Sequence, residues 1–239
     1  MSYNNISARL IEYAATYVTL IHIQFPGAKM IEVLIADDHP IVRRGLKQTL
    51  SETDDIAVAG EVGDCAGVMQ KLHEKHFDVV LLDIGMPGRG GIEVLKEIKG
   101  TGLKIPVLML SIFPEEQYAV RALRAGASGY LTKGCETEQL IEAIRKVAVG
   151  GKYVSEKVAE KLIEDMGDDT GKPLHQKLSD REYEVMRGIA MGKTVSAIAS
   201  EMALSVKTVS TYRSRVLEKM HMKNNAELIH YAVENKLVN

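Results

Sequence analysis

The residues best placed to do chemistry in this sequence are acidic side chains that end apolar runs. Val79-Val80-Leu81-Leu82 is an unbroken apolar run that reads as a strand buried on both faces, and Asp83 follows it directly. Gly85, Pro87, Gly88, Gly90 and Gly91 come next, so the chain turns at that carboxylate. Open α/β folds place their ligands at this carboxyl edge of a parallel sheet. Asp37 and Asp38 end an earlier apolar run in the same way, Ser111 ends a later one with a hydroxyl, and Lys133 follows the last. Taken singly, Asp83 could cap the next helix, Ser111 could be a turn residue and Lys133 a solvated charge. Five such groups at four strand ends are a poor match to that description. Three carboxylates converging in an exposed cleft call for a cation, and hard oxygen donors with room for water suit Mg²⁺. A lysine beside them can neutralise an incoming phosphoryl group, with a hydroxyl to bond one of its oxygens.

The elements that must position these groups alternate regularly from Met30 onward. Strand signals fall at Ile31–Ala36, 56–60, Val79–Asp83, Val107–Ser111 and Gly129–Thr132. Helix signals fall between and after them at 40–50, 64–74, 91–99, 115–125 and 136–149. Five strand-helix units predict an α/β fold, a doubly wound five-stranded parallel sheet covered on both faces, because parallel strands need right-handed crossovers.

Gly150-Gly151 ends the last of these helices, so a first domain is expected over 30–150. Residues 151–175 read as a linker with a short helix at 154–166 and a polar run at 167–173. The remaining stretch, 176–239, has helical rhythm and no strand signal. Ser179-Asp180-Arg181-Glu182 is a capping box for a first helix, Thr194 can cap a second, Ser205 a third, and Asn224 or Asn225 a fourth. Val206, Val209, Val216, Leu217 and Met220 share helical spacing in the third, whereas Lys207, Arg213, Arg215 and Lys219 fall outside that apolar set. Two short helices joined tightly, the second one basic, predict a helix-turn-helix within an all-α four-helix domain. In the last helix Leu228, Ile229 and Val233 exceed what a small core needs and form a candidate dimer surface, with packing on the other helices as the equal alternative.

The chain has 239 residues and a net charge of -2 that is unevenly spread. Residues 30–150 carry fourteen Lys/Arg against eighteen Asp/Glu, and 176–239 carry ten against seven, which hints at a polyanion partner for the back half. Cys65 and Cys135 lie far apart without metal-ligand spacing, which fits a reducing, cytoplasmic compartment. Residues 1–29 do not share the strand-helix alternation that begins at Met30. Charges interrupt their apolar content, so the expectation is an upstream extension, with Met30 as the true start, and no membrane span.

Residues 31–149 resemble the receiver domain of bacterial two-component response regulators, a flavodoxin-like fold. The likeness rests on Asp37-Asp38, on Asp83 in Asp-Ile-Gly-Met-Pro-Gly, and on Ser111, Tyr130 and Lys133. Residues 178–238 resemble the LuxR-type helix-turn-helix of the NarL/FixJ subfamily through Leu178-Ser-Asp-Arg-Glu-Tyr-Glu-Val185, Ile198-Ala199 and Ser205-Val-Lys-Thr-Val-Ser-Thr-Tyr212. The resemblance implies that Asp83 accepts a phosphoryl group from a sensor histidine kinase. It implies Mg²⁺ held by Asp38, Asp83 and the carbonyl of Gly85, with Asp37 acting through water, and Ser111 and Tyr130 as the switch pair. It further implies a homodimer on double-stranded promoter DNA and no enzymatic turnover beyond self-phosphorylation. Lys207, Thr208, Ser210, Thr211, Arg213, Ser214 and Arg215 are then the candidate DNA contacts. Two departures stand out: Thr208-Val209-Ser210 with Tyr212 differs from the commoner Thr-Val-Lys followed by His, and Lys133-Gly134 lacks the proline that brings a cis bond in many receivers.

Two other classes fit parts of the pattern. A Mg²⁺-dependent phosphatase or phosphotransferase would also use a strand-end Asp, but position 85 is Gly, which leaves no second acid to protonate a leaving group, and no separate substrate pocket is apparent. An adaptor with a vestigial helix-turn-helix would not need the basic residues of 207–219. Neutralising Lys207 and Arg213 is expected to weaken duplex binding and to flatten its salt dependence by about one unit per lost phosphate contact, as read in a salt-titrated binding assay.

Overall fold

A computed structural model of the chain describes residues 29–164 and 173–238. Nearly all of the extension expected at 1–29, and most of the polar run in the linker, lie outside the described residues. The first part contains strands β1 (Ile31–Ala36), β2 (Ile56–Val62), β3 (Val79–Asp83), β4 (Val107–Ser111) and β5 (Gly129–Thr132). Helices α1 (Pro40–Ser51), α2 (Cys65–Glu74), α3 (Gly91–Gly100), α4 (Glu115–Arg124) and α5 (Thr137–Ala148) follow them in alternation.

All pairings are parallel and the strand order is β2-β1-β3-β4-β5. The order reverses between β1 and β3, and such a reversal opens a crevice at the carboxyl edge. Ala36 lies opposite Leu82 in that pair, so Asp37 and Asp83 leave the sheet side by side. The strand pleat sends alternate residues to opposite faces. Leu34, Val80, Leu82, Val107 and Met109 pack in one buried cluster with residues of α2, α3 and α4. Val33, Ile35, Val79, Leu81, Leu108 and Leu110 pack in another with α5.

β2 runs two residues past the expected 56–60, to Val62, because Gly60, Glu61 and Val62 pair with Leu34, Ile35 and Ala36 at the edge of the sheet. An edge strand is half-buried there, so the exposed Glu61 does not interrupt it. Beyond α5, Tyr153 makes an isolated parallel bridge to Gly129, and α6 (Glu156–Glu164) packs along α4. Ser155 Oγ donates to Glu115 (2.8 Å), and Lys161 Nζ to the Glu116 carbonyl (3.2 Å).

After a 3-10 turn at Leu174–Lys177, four helices complete the chain: α7 (Asp180–Ala190), α8 (Val195–Glu201), α9 (Val206–Lys219) and α10 (Asn225–Glu234). Each has its expected cap. Ser179 and Glu182 form the reciprocal box on α7, and Thr194, Ser205 and Asn224 accept from the backbone N–H three residues on. Val206 corrects the apolar set of α9: it is half exposed, because it occupies the first turn, ahead of the face on which Val209 and Val216 are buried. In α10, Leu228 is buried whereas Ile229 and Val233 are exposed. The latter two therefore do not serve the domain's own core.

The turn after β3 is the tightest part of the first domain. Gly90 has φ +72°, and a Cβ on Gly91 would stand 2.1 Å from the Asp83 carbonyl oxygen and 2.8 Å from Ile84 Cα. Backbone atoms cannot give way as a flexible side chain can. Gly91→Ala is expected to destabilise the protein by roughly 3 kcal/mol, the upper end for overpacking, seen as a lowered denaturation midpoint.

Candidate functional site

Asp37 and Asp83 are almost fully buried, and Lys133 reaches between them with Nζ 2.6 Å from Asp37 Oδ2 and 2.9 Å from Asp83 Oδ2. The second oxygen of each carboxylate takes a backbone N–H, from His39 for Asp37 (2.8 Å) and from Gly85 for Asp83 (3.0 Å). Arg43 Nη1 donates to the Asp37 carbonyl at 2.6 Å and so holds the end of β1. Burial pushes the Asp83 carboxyl above its usual range, although the Gly85 N–H and Lys133 pull it back. Burial also lowers the Lys133 ammonium, but the two carboxylates outweigh it and hold it above the ordinary lysine value. Lys133 thus serves the carboxylates themselves as a counter-charge, whereas the residue pattern suggests that role for a cation and reserves the lysine for an incoming phosphoryl group.

Ligand atoms of Asp37, Asp38, His39 and Asp83 all lie within 4.8 Å of one another. Three carboxylates make a hard oxygen set of the kind that receivers use for Mg²⁺, so the residues present fit that ion. His39 is an addition to the expected set. Its Nδ1 lies 2.8 Å from Asp38 and 3.3 Å from Asp37, and the only signal for it in the sequence is its place directly after the acidic pair.

Ser111, expected beside Asp83, is buried at the end of β4, where its Oγ accepts from the Phe113 N–H (3.1 Å). Tyr130 is also buried, and its hydroxyl donates to the Phe113 carbonyl (2.8 Å). Burial raises the Tyr130 phenol, which stays protonated as a donor. The two residues expected to act as a switch therefore grip both polar groups of residue 113. No peptide bond is cis among the described residues, in keeping with Lys133-Gly134.

Phe113 leads into the second domain. Its ring stacks on Tyr118 of α4 (centroids 5.1 Å apart), and the Arg187 guanidinium of α7 lies over it at 4.2 Å. Arg187 also donates to the Tyr118 hydroxyl (3.2 Å) and to the Leu237 carbonyl (3.2 Å). Tyr183 of α7 meets Tyr118 edge-on and donates to the Gln117 carbonyl (3.1 Å). Arg181 donates to the Gly88 carbonyl in the loop after β3, and Arg121 of α4 donates to the Leu178 (2.9 Å) and His175 (2.5 Å) carbonyls. None of these arginines stands out as functional in the sequence. The one available signal is Arg187, a charge set within the buried stripe of α7.

The basic helix α9 presents Lys207, Ser210, Thr211, Ser214 and Arg215 to solvent, whereas Thr208 and Arg213 are half-buried. Thr208 joins the Ser205 cap at 2.8 Å, and Arg213 Nε is committed to Asn225 (2.7 Å). The seven candidates are thus not equivalent: five form an outward face, one finishes the cap and one braces α10. Lys219 is bound to Glu182 of the capping box (2.6 Å). No helix among the described residues is long and apolar enough to cross a membrane.

Comparison with known proteins finds two families in the chain. Residues 33–145 match the response regulator receiver domain, and 176–232 match the bacterial regulatory proteins of the luxR family. The response regulator GacA of Pseudomonas aeruginosa is 36% identical over 211 residues, covering 87% of this chain and 98% of GacA. The response regulator UvrY of Escherichia coli K12 is 33% identical over 211 residues, covering 88% of this chain and 97% of UvrY. Among solved structures, RcsB of Salmonella enterica serovar Typhimurium, bound to the promoter rprA with the phosphomimetic BeF3-, is 26% identical. The match has a TM-score of 0.59 and covers 85% of this chain and 98% of that one.

Removing the Lys133 charge leaves two buried carboxylates facing each other. Lys133→Met is expected to cost about 3 kcal/mol at neutral pH, as for breaking a buried ion pair. The Asp83 carboxyl is already raised in the folded state, so the folded form gains protons before the unfolded one as pH falls. The deficit should therefore shrink on acidification towards the ordinary carboxylate range, and also on adding Mg²⁺, in denaturation curves run at several pH values.

Proposed function

Because the chain belongs to the response regulators that join a receiver domain to a LuxR-type DNA-binding domain, we propose that Asp83 is its phosphoacceptor and α9 its DNA-reading helix. The observation that carries the first assignment is Lys133 bridging Asp37 and Asp83 at the reversal point of the sheet. An Asp83 oxygen attacks the phosphorus of a phosphohistidine in a sensor kinase, the P–N bond breaks, and the imidazole leaves as an acyl phosphate forms. Asp38, Asp83 and the Gly85 carbonyl would hold Mg²⁺, with Asp37 acting through water; the ion would supply charge neutralisation at the phosphoryl oxygens. Lys133 sits ready to take up that negative charge on the other side.

Ser111 then turns its hydroxyl from the Phe113 N–H to the phosphoryl group, and Tyr130 follows residue 113. A local change in charge thereby biases the α4 face, and with it dimerisation. On this reading the receiver spans 30–150, the linker 151–175 and the DNA-binding domain 176–239, and the protein works in the cytoplasm. RcsB is described as dimers on DNA and as bound to promoters, and here the outward face of α9 would meet double-stranded promoter DNA. Lys207 and Arg215 suit phosphate or guanine contacts, and Ser210, Thr211 and Ser214 suit base edges or phosphates. Thr208 and Arg213 would act at the margins of that face. The exposed Ile229 and Val233 of α10 suit the surface by which a homodimer pairs two half-sites.

Acetyl phosphate with Mg²⁺ is expected to add one phosphoryl group to the protein and none to Asp83→Asn, measured by intact mass. Equal labelling of the two chains would refute the assignment of Asp83.

A further inference from the structure

His39 takes no part in the chemistry assigned so far. It stands at the N-cap of α1, yet its side chain makes no bond to the first turn of that helix. Pro40 follows it and confines it to extended backbone, with φ -89° and ψ 109°. The His39 N–H donates to Asp37 Oδ1 (2.8 Å), and the ring turns toward the carboxylates, with Nδ1 2.8 Å from Asp38 Oδ1 and 3.3 Å from Asp37 Oδ1. Despite that short contact, the buried Asp38 Oδ1 accepts no hydrogen bond among the described residues. A ring N–H aimed at it would have made one, so the nitrogen stands beside that oxygen without pointing at it.

Two donor atoms that lie close without bonding each other suit a shared cation. With bonds of about 2.1 Å, neighbouring ligands stand about 3.0 Å apart at an octahedral ion and about 3.4 Å apart at a tetrahedral one. The separations of 2.8 and 3.3 Å fall on that scale, and an Asp83 oxygen lies within 4.8 Å of the same group. The type of donor then selects the ion: Mg²⁺ keeps to oxygen, whereas imidazole suits the first-row divalent metals. We propose that His39 Nδ1, with Asp38 and Asp83, forms a second donor set at the phosphoacceptor, one that takes a first-row divalent cation such as Mn²⁺ through nitrogen. Mg²⁺ draws on the oxygens alone, and the two ions compete for the same carboxylates. With its proton on Nε2 the imidazole presents a lone pair at Nδ1. The side chain is 63% exposed, so the ring can settle onto an ion without repacking the core. This rests on the reading of the acidic cluster as the Mg²⁺ site and adds to it a discrimination among cations. The identity of the cation, and not only its presence, is then an input at Asp83.

The test compares the full chain with His39→Ala, each loaded with one equivalent of Mn²⁺ and read by electron spin echo modulation, which detects a nitrogen bonded to the ion. Isothermal titration with Mg²⁺ and with Mn²⁺ gives the two affinities of each chain. The expected result is a nitrogen signal in the native chain that His39→Ala loses. Its Mn²⁺ affinity should also fall at least about tenfold further than its Mg²⁺ affinity, since losing even a residue that only supports a ligand costs about that much. His39→Asp, which puts oxygen in place of nitrogen, is expected to lose the signal while binding Mg²⁺ more tightly than His39→Ala does, which separates the donor's chemistry from any effect on folding. The assignment is overturned by a native chain without a nitrogen signal, by a signal that persists without His39, or by equal losses of Mg²⁺ and Mn²⁺ affinity. A native chain that binds neither cation refutes the Mg²⁺ reading of the cluster as well, and so is told apart from a failure of His39 alone.

Discussion

The ion triad of Asp37, Lys133 and Asp83 is the constraint to which the rest of the structure answers. Two carboxylates this deeply buried repel each other and lose hydration, and a single ammonium within 3 Å of both makes the arrangement tolerable. To hold that geometry the chain needs β1 and β3 adjacent, β5 ending near enough for Lys133 to reach across, and a turn after β3 in which Gly91 lies against the strand's own last carbonyl. The triad is also poised. It is satisfied as it stands, yet any added phosphoryl group or divalent cation redistributes the same three charges.

Much of this is legible in the sequence, for definite reasons. Unbroken apolar runs ending in Asp37, Asp83 and Ser111 fix both the strands and the edge at which they stop, because a strand buried on both faces cannot alternate with polar residues. Capping residues fix the starts of the helices around α8 and α9 because the bond spans only three residues. The reach of β2 is not legible: its last residues are held by cross-strand pairing at an edge, which leaves no apolar signature at Glu61. Val206 misleads for a related reason, since helical spacing does not say where along a helix the neighbour's surface begins.

The arginines between the domains illustrate a harder limit. Arg121, Arg181 and Arg187 mostly bind carbonyl groups and aromatic faces, and every stretch of chain offers such partners. An acidic pair announces itself by composition, whereas a carbonyl acceptor does not. Their role becomes visible only when α7 lies against α4 and the loop after β3. The same packing makes the buried side chains of the two domains one continuous cluster, so the boundary obvious in the sequence is not a boundary in the core.

The way α6 is fastened to α4 changes the arithmetic by which the two domains could come apart, passing from a closed to an open form. With Tyr153 bridged to Gly129, and Ser155 and Lys161 bonded to Glu115 and Glu116, most of the expected linker belongs to the first domain. Only the eight residues 165–172 separate the last described residue of that part from Pro173. A covalent connection of so few residues presents one domain to the other at an effective concentration on the order of 1 mM. Domain contacts that would bind with a dissociation constant of only about 0.1 mM between separate molecules would then leave roughly one chain in ten open. Weakening such contacts by about 1.4 kcal/mol, a tenfold change, brings open and closed forms to near equality. The shortness of that covalent connection is thus what lets a few individually modest contacts govern the whole molecule while keeping them within reach of a single charge placed on Asp83.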